Sequence, residues 1–144
     1  HNDTAAKKNI KLKQMIESKI FIYADKLMIE TVLRNLISNA IKFTKPNGEV
    51  IISAAEEENY TIVEVKDSGV GISDENINKL FRIDVHHSTG GTNDEKGSGL
   101  GLILCKELVE KNDGEISVES EIGKGSRFMI KLPTVNKTVL SVSA

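Results

Sequence analysis

Short segments in which apolar residues alternate with polar ones, or in which β-branched and aromatic residues are concentrated, recur along the chain. Both patterns are typical of strands that bury one face. They predict strands in KNIKLKQMI, KIFIYAD, EVIISAA, TIVEVKD, GEISVES and SRFMIKL. The turn EEENY separates the third and fourth of these segments, EIGKG separates the last two, and Pro133 is expected to end the final strand.

A helical period replaces this alternation in residues 26–43, where apolar residues recur on one side at about 100° per residue. The apolar residues on that side are Leu33, Leu36, Ile37 and Ala40. Asp25 is the expected N-cap, and Ser73 is the expected N-cap of a shorter helix in SDENINKLF. A third helix is predicted over residues 100–111. Residues 82–98 have no period and little apolar content, so we interpret them as a mobile lid.

This order of elements predicts a sheet with its helices packed on one face, an α/β sandwich of two layers. A length of 144 residues, of which 39% are apolar, suffices for one domain with a core but not for two. We assign residues 1–134 to the domain and residues 135–144 to a tail or linker. The other face of the sheet is expected to meet water.

Charge and cysteine content narrow the classes of function. The 19 basic and 21 acidic residues are spread along the chain and give a formal net charge of -2. No broad field attracts nucleic acid or an anionic membrane, so any anion must be bound locally. The single cysteine, Cys105, excludes an internal disulfide and favours a reducing, cytosolic compartment. No apolar run approaches the roughly 20 residues that a transmembrane helix needs.

The polar side of the first long helix carries Asn35, Asn39 and Lys42. Their i, i+4, i+7 spacing places them within about 60° of each other. A solvated helix face is one explanation, although asparagine is a poor helix former and two in one row cost stability. A ligand site is the other, because amide oxygens suit a hard ion such as Mg²⁺ and an ammonium suits phosphate. A metal-bound polyphosphate would use both residue types.

The turn VKDSGVGIS places Asp67 at the end of a predicted strand, with Gly69 and Gly71 after it. An ordinary turn explains this pattern, because Asp and Gly are common turn residues. The glycines would also let the backbone approach a ligand closely. If a base binds here, the Asp67 carboxylate accepts a hydrogen bond from the exocyclic amine of adenine, which selects ATP over GTP.

Gly97, Gly99 and Gly101 alternate in GSGLGL at the start of the last predicted helix. Free N–H groups and the positive dipole end attract anions there, and missing side chains let phosphate oxygens approach. A flexible hinge for the preceding loop is the other explanation, and the two are compatible. The spacing matches neither a Walker A loop nor a Rossmann fingerprint.

Five ordered segments resemble the N, G1, F, G2 and G3 boxes of sensor histidine kinases: NLISNAIKFT, DSGVGI, LFRI, GSGLGL and GKGSRF. The resemblance covers roughly residues 5–133. It implies the Bergerat fold of the GHKL superfamily, a two-layer α/β (α+β) sandwich. In that fold a mixed, mostly antiparallel sheet of about five main strands carries three helices on one face. The implied cofactors are ATP and Mg²⁺.

Carried over by position, the resemblance implies that Asn39 binds Mg²⁺ and that Asn35 and Lys42 serve the metal and the phosphates. These three are the implied catalytic residues. The implied base pocket consists of Asp67, Gly69, Gly71, Ile72, Gly123, Gly125 and Ser126. The implied phosphate loop consists of Gly97, Ser98, Gly99, Leu100 and Gly101. Phe81 would anchor the lid. Ser126 stands where threonine is usual, and Asp113 stands where a second glycine often occurs.

Asn35 distinguishes the kinases of the superfamily from its ATPases. The gyrases, heat-shock chaperone ATPases and mismatch-repair ATPases carry a glutamate there, which activates the attacking water. An amide cannot take a proton from water at neutral pH. Asn35 therefore favours a kinase that presents the γ-phosphate to another nucleophile. A GHKL-type ATPase and a nucleotide-binding regulatory module without kinase activity are the alternatives.

The resemblance also implies partners. The phosphoacceptor histidine would lie on a separate dimerisation domain of the same kinase, so His86 and His87 in the predicted lid are expected to be solvated residues. A downstream response regulator is the next partner, and the full-length protein is expected to be a homodimer. No nucleic acid and no direct membrane contact are expected. We expect a cytoplasmic domain, with an inner-membrane anchor as one possibility for the parent protein.

Overall fold

The alternating and helical patterns become a five-stranded sheet with helices in a computed structural model that describes residues 2–16, 19–82 and 100–134. The elements in these ranges are α1 (Asn2–Lys7), β1 (Lys11–Met15), α2 (Lys26–Phe43), β2 (Glu49–Glu56), β3 (Tyr60–Asp67), α3 (Asp74–Ile77), α4 (Gly101–Lys111), β4 (Glu115–Glu121) and β5 (Gly125–Pro133). The predicted lid beyond Arg82 and the predicted tail lie outside the described residues.

The sheet has the strand order β1-β2-β3-β5-β4. β1 is parallel to β2, and the other neighbouring pairs are antiparallel. The expected two-layer sandwich with a mixed, mostly antiparallel sheet is therefore confirmed. Because β5 lies between β3 and β4, the end of β3 at Asp67 lies beside Ser126 near the start of β5.

One face of the sheet packs against α2 and α4 and forms the core with them. Inward residues such as Val50, Val65 and Phe128 are buried. Burying a side chain of this size contributes roughly 1.5–3 kcal/mol. The period-two alternation places charged side chains on the opposite face, where Arg127 pairs with Glu64 at 3.8 Å.

α2 begins and ends where the sequence predicts. Asp25 is its N-cap, and the Asp25 side chain accepts a hydrogen bond from the N–H of Met28 at 3.0 Å. The backbone becomes extended at Thr44, which ends the helix. The buried residues of α2 are Ile29, Val32, Leu36, Ala40 and Ile41. Leu33 and Ile37 are half-buried against this core, so the predicted apolar stripe is confirmed.

A buried lysine holds the C-terminal end of α2. Lys8 follows α1 and is 2% exposed, and its Nζ donates to the carbonyl oxygens of Ile41 at 2.8 Å and of Lys42 at 2.9 Å. The last carbonyls of a helix lack intrahelical donors and form the negative dipole end, so an ammonium is stabilising there. The sequence did not predict α1, because its 6 residues are mostly polar and too few to show a helical period.

α4 packs against α2 and β4 and buries Cys105 and Val109. The helical period predicts that Leu104 and Leu108 share a buried stripe with Cys105. Leu108 is half-buried against the core, but Leu104 is 41% exposed, so the prediction is wrong for Leu104. The reason is that α4 meets its neighbours along a narrow stripe, and each residue is turned by about 100° from the one before. Each helix that the structure describes is too short or too polar to cross a lipid bilayer.

Two further predictions were wrong in detail. The segment KIFIYAD is not a strand. Single hydrogen bonds join it to the ends of β3 and β5. Tyr23 N donates to the carbonyl of Pro133 at 2.7 Å, and Thr61 Oγ1 donates to that of Phe21 at 3.2 Å. Phe21 and Tyr23 are exposed, so these strand-favouring residues do not mark the buried face of a strand here. The helix in SDENINKLF is capped by Ser73 as expected but has only 4 residues.

Candidate functional site

A row of polar residues crosses the inward face of the sheet at one end. Asp67 on β3 stands opposite Ser126 on β5, which in turn stands opposite Ser120 on β4. Residues paired in this way have neighbouring side chains on the same face. The next inward row is apolar and contains Val65 and Phe128. The polar row therefore marks the end of the core, where a ligand can reach it.

The Asp67 carboxylate is only partly satisfied by the protein. Asp67 is 6% exposed, and its Oδ1 accepts the N–H of Gly69 at 2.8 Å and that of Ser126 at 3.2 Å. Within the described ranges, no group donates to Oδ2. Burial raises the pKa of Asp67, and the two N–H bonds partly oppose this. A buried acceptor without a donor is costly, so Oδ2 fits a ligand that brings an N–H group.

Three glycines let the turn after β3 pack directly on backbone. A Cβ on Gly69 would lie 2.4 Å from the carbonyl oxygen of Phe43, and one on Gly71, at φ 78, would lie 2.1 Å from that of Glu121. A Cβ on Gly125, at φ 105, would lie 2.0 Å from the carbonyl oxygen of Asp67. All three positions thus exclude a side chain, whereas Gly123, the fourth glycine of the predicted base pocket, has nothing within 4 Å of its Cβ position.

Ser120 is at the centre of a hydrogen-bond cluster that sequence reasoning missed. Its Oγ accepts the N–H of Ile72 at 2.7 Å, donates to the carbonyl of Gly125 at 2.9 Å and lies 2.7 Å from Ser126 Oγ. The signal that could have found it is the alternation of β4. Ile116, Val118 and Ser120 share the inward positions of that strand, so a polar residue replaces an apolar one there.

The predicted polar row on α2 is present, with its three residues half-buried. Asn35 Oδ1 lies 3.6 Å from the position that a Cβ on Gly101 would occupy. Burial raises the pKa of Cys105 to about 11, and a hydrogen bond with the Asn35 side chain partly offsets this. Asn39 makes no side-chain hydrogen bond within the described part of the chain. Lys42 Nζ lies 4.9 Å from the centre of the Phe43 ring.

The N-terminus of α4 lies beside this row. The helix begins at Gly101 after Leu100, and within the described ranges no side chain caps it. Uncapped N–H groups at the positive dipole end favour an anion. A methyl group on Gly101 would meet only ordinary contacts, so the backbone is accessible here. The preceding predicted phosphate-loop residues, Gly97, Ser98 and Gly99, lie outside the described residues, as do His86 and His87.

α2 connects the polar end of the sheet to α4. The carbonyl of Phe43, its last residue, accepts the N–H of Val70 in the glycine turn at 3.1 Å. Asn35, two turns earlier, lies beside Gly101. At about 1.5 Å per residue, the row from Asn35 to Phe43 is about 12 Å long. The arrangement brings together an acceptor-rich pocket at one end, amides along a helix and a helix N-terminus at the other.

A metal ion bound here would have few protein ligands. The described residues contain no group of three or more His, Cys, Asp or Glu side chains placed to hold a metal. The half-buried Asn39 amide has no protein partner in the same ranges, and an amide oxygen is a suitable ligand for Mg²⁺. The residues therefore fit a metal that a polyphosphate brings with it. Ile72 and Phe81 are half-buried and pack against the core.

Comparisons with protein families and curated sequences agree with this arrangement. A family model described as histidine kinase-, DNA gyrase B-, and HSP90-like ATPase matches residues 24–136. Sensor protein SrrB of Staphylococcus aureus is 42% identical over 105 residues, which are 73% of this chain and 18% of SrrB. The chain thus spans less than a fifth of the length of this relative.

Solved structures show the same fold. The catalytic domain of histidine kinase ThkA is similar with a TM-score of 0.79 and 28% identity, over 94% of this chain and 87% of that one. Full-length ShkA in complex with AMPPNP has a TM-score of 0.76 and 26% identity, over 93% and 28% of the two chains. ThkA in complex with response regulator protein TrrA has a TM-score of 0.72 and 26% identity, over 93% and 37%.

Proposed function

Because the chain belongs to the family of histidine kinase-, DNA gyrase B-, and HSP90-like ATPases, we propose that it is the catalytic ATP-binding domain of a sensor histidine kinase. It binds Mg²⁺-ATP and donates the γ-phosphate to a histidine on a separate dimerisation domain of the same kinase. Residues 1–134 form this domain in the proposal, and residues 135–144 form a tail or linker. The observation that carries it is the buried Asp67 carboxylate, whose Oδ2 accepts no hydrogen bond from a described residue.

Adenine selection depends on acceptor chemistry at the end of β3. An ionised carboxylate can only accept hydrogen bonds, and the exocyclic amine of adenine can only donate them. Guanine has a carbonyl oxygen in that position, which would face the carboxylate oxygen without a proton between them. Asp67 is held for this contact through Oδ1, which the N–H groups of Gly69 and Ser126 fix in place. The Gly69 and Gly71 backbone and the Ile72 side chain would line the base.

The triphosphate would follow the polar row of α2 to the start of α4. Asn39 would be a ligand of Mg²⁺, with Asn35 and Lys42 serving the metal and the phosphates. Bound Mg²⁺ would neutralise charge on the phosphate oxygens. The N–H groups at the start of α4, from Gly101 on, would bind phosphate oxygens. The residues proposed to extend this contact are Gly97, Ser98, Gly99 and Leu100.

Asn35 supports a kinase rather than an ATPase. Its side chain lies beside Gly101, where the phosphates would bind. An amide positions a ligand through hydrogen bonds, but it cannot deprotonate a water molecule at neutral pH. The domain would hold the γ-phosphate for an external nucleophile, because phosphoryl transfer depends chiefly on positioning and charge stabilisation. Of the alternatives, a GHKL-type ATPase predicts continuing heat in calorimetry, whereas a nucleotide-binding regulatory module without kinase activity predicts ATP binding without phosphate transfer to a histidine.

The remaining elements of the proposal concern the parent protein. The relatives include a sensor protein and a kinase solved with a response regulator, which supports signalling from a sensor through this domain to a response regulator. The parent would be a homodimer, with this domain in the cytoplasm and an inner-membrane anchor as one possibility for the rest of the chain. No nucleic acid partner is proposed.

A calorimetric titration of the chain with ATP and Mg²⁺ tests the function. Saturable binding followed by a flat baseline is expected of a kinase domain without its histidine substrate. Heat that continues to evolve in proportion to protein concentration would identify an ATPase instead. Absence of binding would indicate a degenerate module that no longer binds nucleotide.

Two substitutions locate the site in the same experiment. Asp67→Asn should weaken ATP binding at least tenfold, because the amide presents a donor to the adenine amine. Asn39→Ala should reduce the dependence of binding on Mg²⁺. Asp113→Asn and Ser38→Ala are matched controls at exposed positions, and both should bind like the unmodified chain. Unchanged affinity in both Asp67→Asn and Asn39→Ala would refute the site.

A further inference from the structure

Ser120 is not among the residues that the sequence motifs assign to the pocket, yet it contacts three parts of the pocket wall. Its Oγ accepts the N–H of Ile72, from the turn after β3, at 2.7 Å. It also lies 2.9 Å from the carbonyl oxygen of Gly125 and 2.7 Å from Ser126 Oγ on β5. The backbone N–H of Ser126 donates in turn to Asp67 at 3.2 Å. One hydroxyl group on β4 thus connects the turn, β5 and, through Ser126, the carboxylate.

The chemistry of these partners fixes the direction of each hydrogen bond. A hydroxyl has one proton to donate and two lone pairs that accept. The Ile72 N–H can only donate to Ser120, and the Gly125 carbonyl can only accept from it. Ser120 therefore donates its proton to the Gly125 carbonyl, and one of its lone pairs accepts from Ser126. The Ser126 hydroxyl must donate to Ser120, and its own lone pairs are left for a ligand.

We propose that Ser120 is a specificity-determining positioning residue, which makes Ser126 a hydrogen-bond acceptor and thereby adapts the pocket to a base with an exocyclic amine. This inference rests on the proposed function. With Ser126 and Asp67 both limited to accepting, the row that faces the base contains two neighbouring acceptors. An amine offers two protons to such a row, whereas a base with a carbonyl oxygen offers none at that position. Ser120 acts through Ser126 and does not itself touch the base.

The test compares two nucleotides whose bases differ at the 6-substituent and, with it, at the proton on the adjacent N1. Inosine diphosphate has a carbonyl oxygen where adenosine diphosphate has the amine, and their dissociation constants are measured by calorimetry with Mg²⁺. Ser120→Ala frees the Ser126 proton, which can then donate to the inosine carbonyl. The preference for adenosine diphosphate should fall about three- to tenfold, the worth of one hydrogen bond. If Ser120 had a purely structural role, Ser120→Ala would weaken the binding of both nucleotides equally and leave the ratio of their dissociation constants unchanged. That result would overturn the proposal.

Two further variants make the result specific. Ser117→Ala removes a hydroxyl from an exposed position of the same strand and should leave the ratio unchanged. Ser126→Ala removes the acceptor itself and should by itself lower the preference for adenosine diphosphate. The proposal can therefore be tested even if Ser120→Ala does not fold. In the Ser126→Ala background, Ser120→Ala should have no further effect on the ratio. An additional loss of preference in that background would contradict the proposed route through Ser126.

The outcomes separate this inference from the proposed function. If the unmodified chain binds neither diphosphate, the proposed function fails. If it binds adenosine diphosphate with a preference that Ser120→Ala does not change, only the role of Ser120 fails.

Discussion

The two ends of the candidate site are built in different ways. At the base end, Asp67 and Ser120 are joined to neighbouring segments by hydrogen bonds, and Gly125 excludes any side chain. At the phosphate end, Asn39 has no side-chain hydrogen bond within the described residues, and Gly101 has space for a methyl group. The fold thus fixes the base end by itself. The phosphate end presents polar groups whose partners a ligand must supply.

The close packing of the base end is tested most strongly by a substitution at Gly125. Alanine there places its Cβ 2.0 Å from the carbonyl oxygen of Asp67. We expect Gly125→Ala to lower the free energy of unfolding by more than about 2 kcal/mol in a urea titration, because backbone must move on both strands. Gly123→Ala is the matched control, since Gly123 also has a positive φ, of 83, but nothing within 4 Å of its Cβ position. The control should lose about 1–2 kcal/mol. Equal losses would mean that close packing does not define the base end.

Lys8 tests whether the end of α2 that adjoins the base pocket is held from outside the site. Lys8→Met keeps the length and removes the ammonium that bonds to Ile41 and Lys42. A buried carbonyl and a partly buried one then lose a donor, and we expect a loss of about 1–3 kcal/mol in the free energy of unfolding. Amide exchange at Val70, which donates to the last residue of α2, should also become faster.

The neighbouring residue gives the control for this prediction. Lys7→Met changes the same side chain at an exposed position of α1 and should leave both stability and exchange unchanged. Equal stability of the two variants would show that the buried ammonium contributes nothing net, as some buried charges do.

The sequence predicted those elements whose local signals agree with their packing. α2 has a cap, a helical period and a clear end, and its bounds were predicted correctly. KIFIYAD was misread because aromatic and β-branched residues favour strands even where they cover the end of a sheet without pairing. At the site, the positions of Asp67 and its glycines follow from local turn chemistry. Ser120 and Lys8 were missed because their roles come from residues distant in sequence, such as Ile72 and Ile41.

A smaller effect is expected at the phosphate end. Gly101→Ala adds a methyl group that meets only Asn35 atoms, at 3.6 and 3.8 Å. Stability should stay the same or rise by up to about 1 kcal/mol, because alanine is the better helix former. The methyl group would nevertheless stand where phosphate oxygens should approach. Affinity for ATP should therefore fall, while affinity for adenosine, measured in parallel, should not. A parallel loss for adenosine would place the defect at the base end.

The smallest effect concerns the charge of Asp67, and its sign separates a structural role from a binding role. Burial raises the pKa of Asp67, so the folded state holds the proton more tightly than the unfolded state does. The stabilising contribution of the protonated form is fully present below the unfolded pKa of about 3.9 and is lost as the pH rises through the folded pKa. Asp67→Asn removes this titration and keeps an oxygen for Gly69 and Ser126.

We therefore expect the unmodified chain to lose stability relative to Asp67→Asn as the pH rises above the unfolded pKa of about 3.9, in urea titrations without nucleotide. Asp113→Asn removes an exposed carboxylate and controls for the change in net charge. If the difference instead grew in favour of the unmodified chain, the carboxylate would be stabilising the fold. The expected sign means that the ionised carboxylate costs the free protein stability. Such a cost is explained when a ligand with an N–H donor, such as adenine, supplies the missing hydrogen bond to Oδ2.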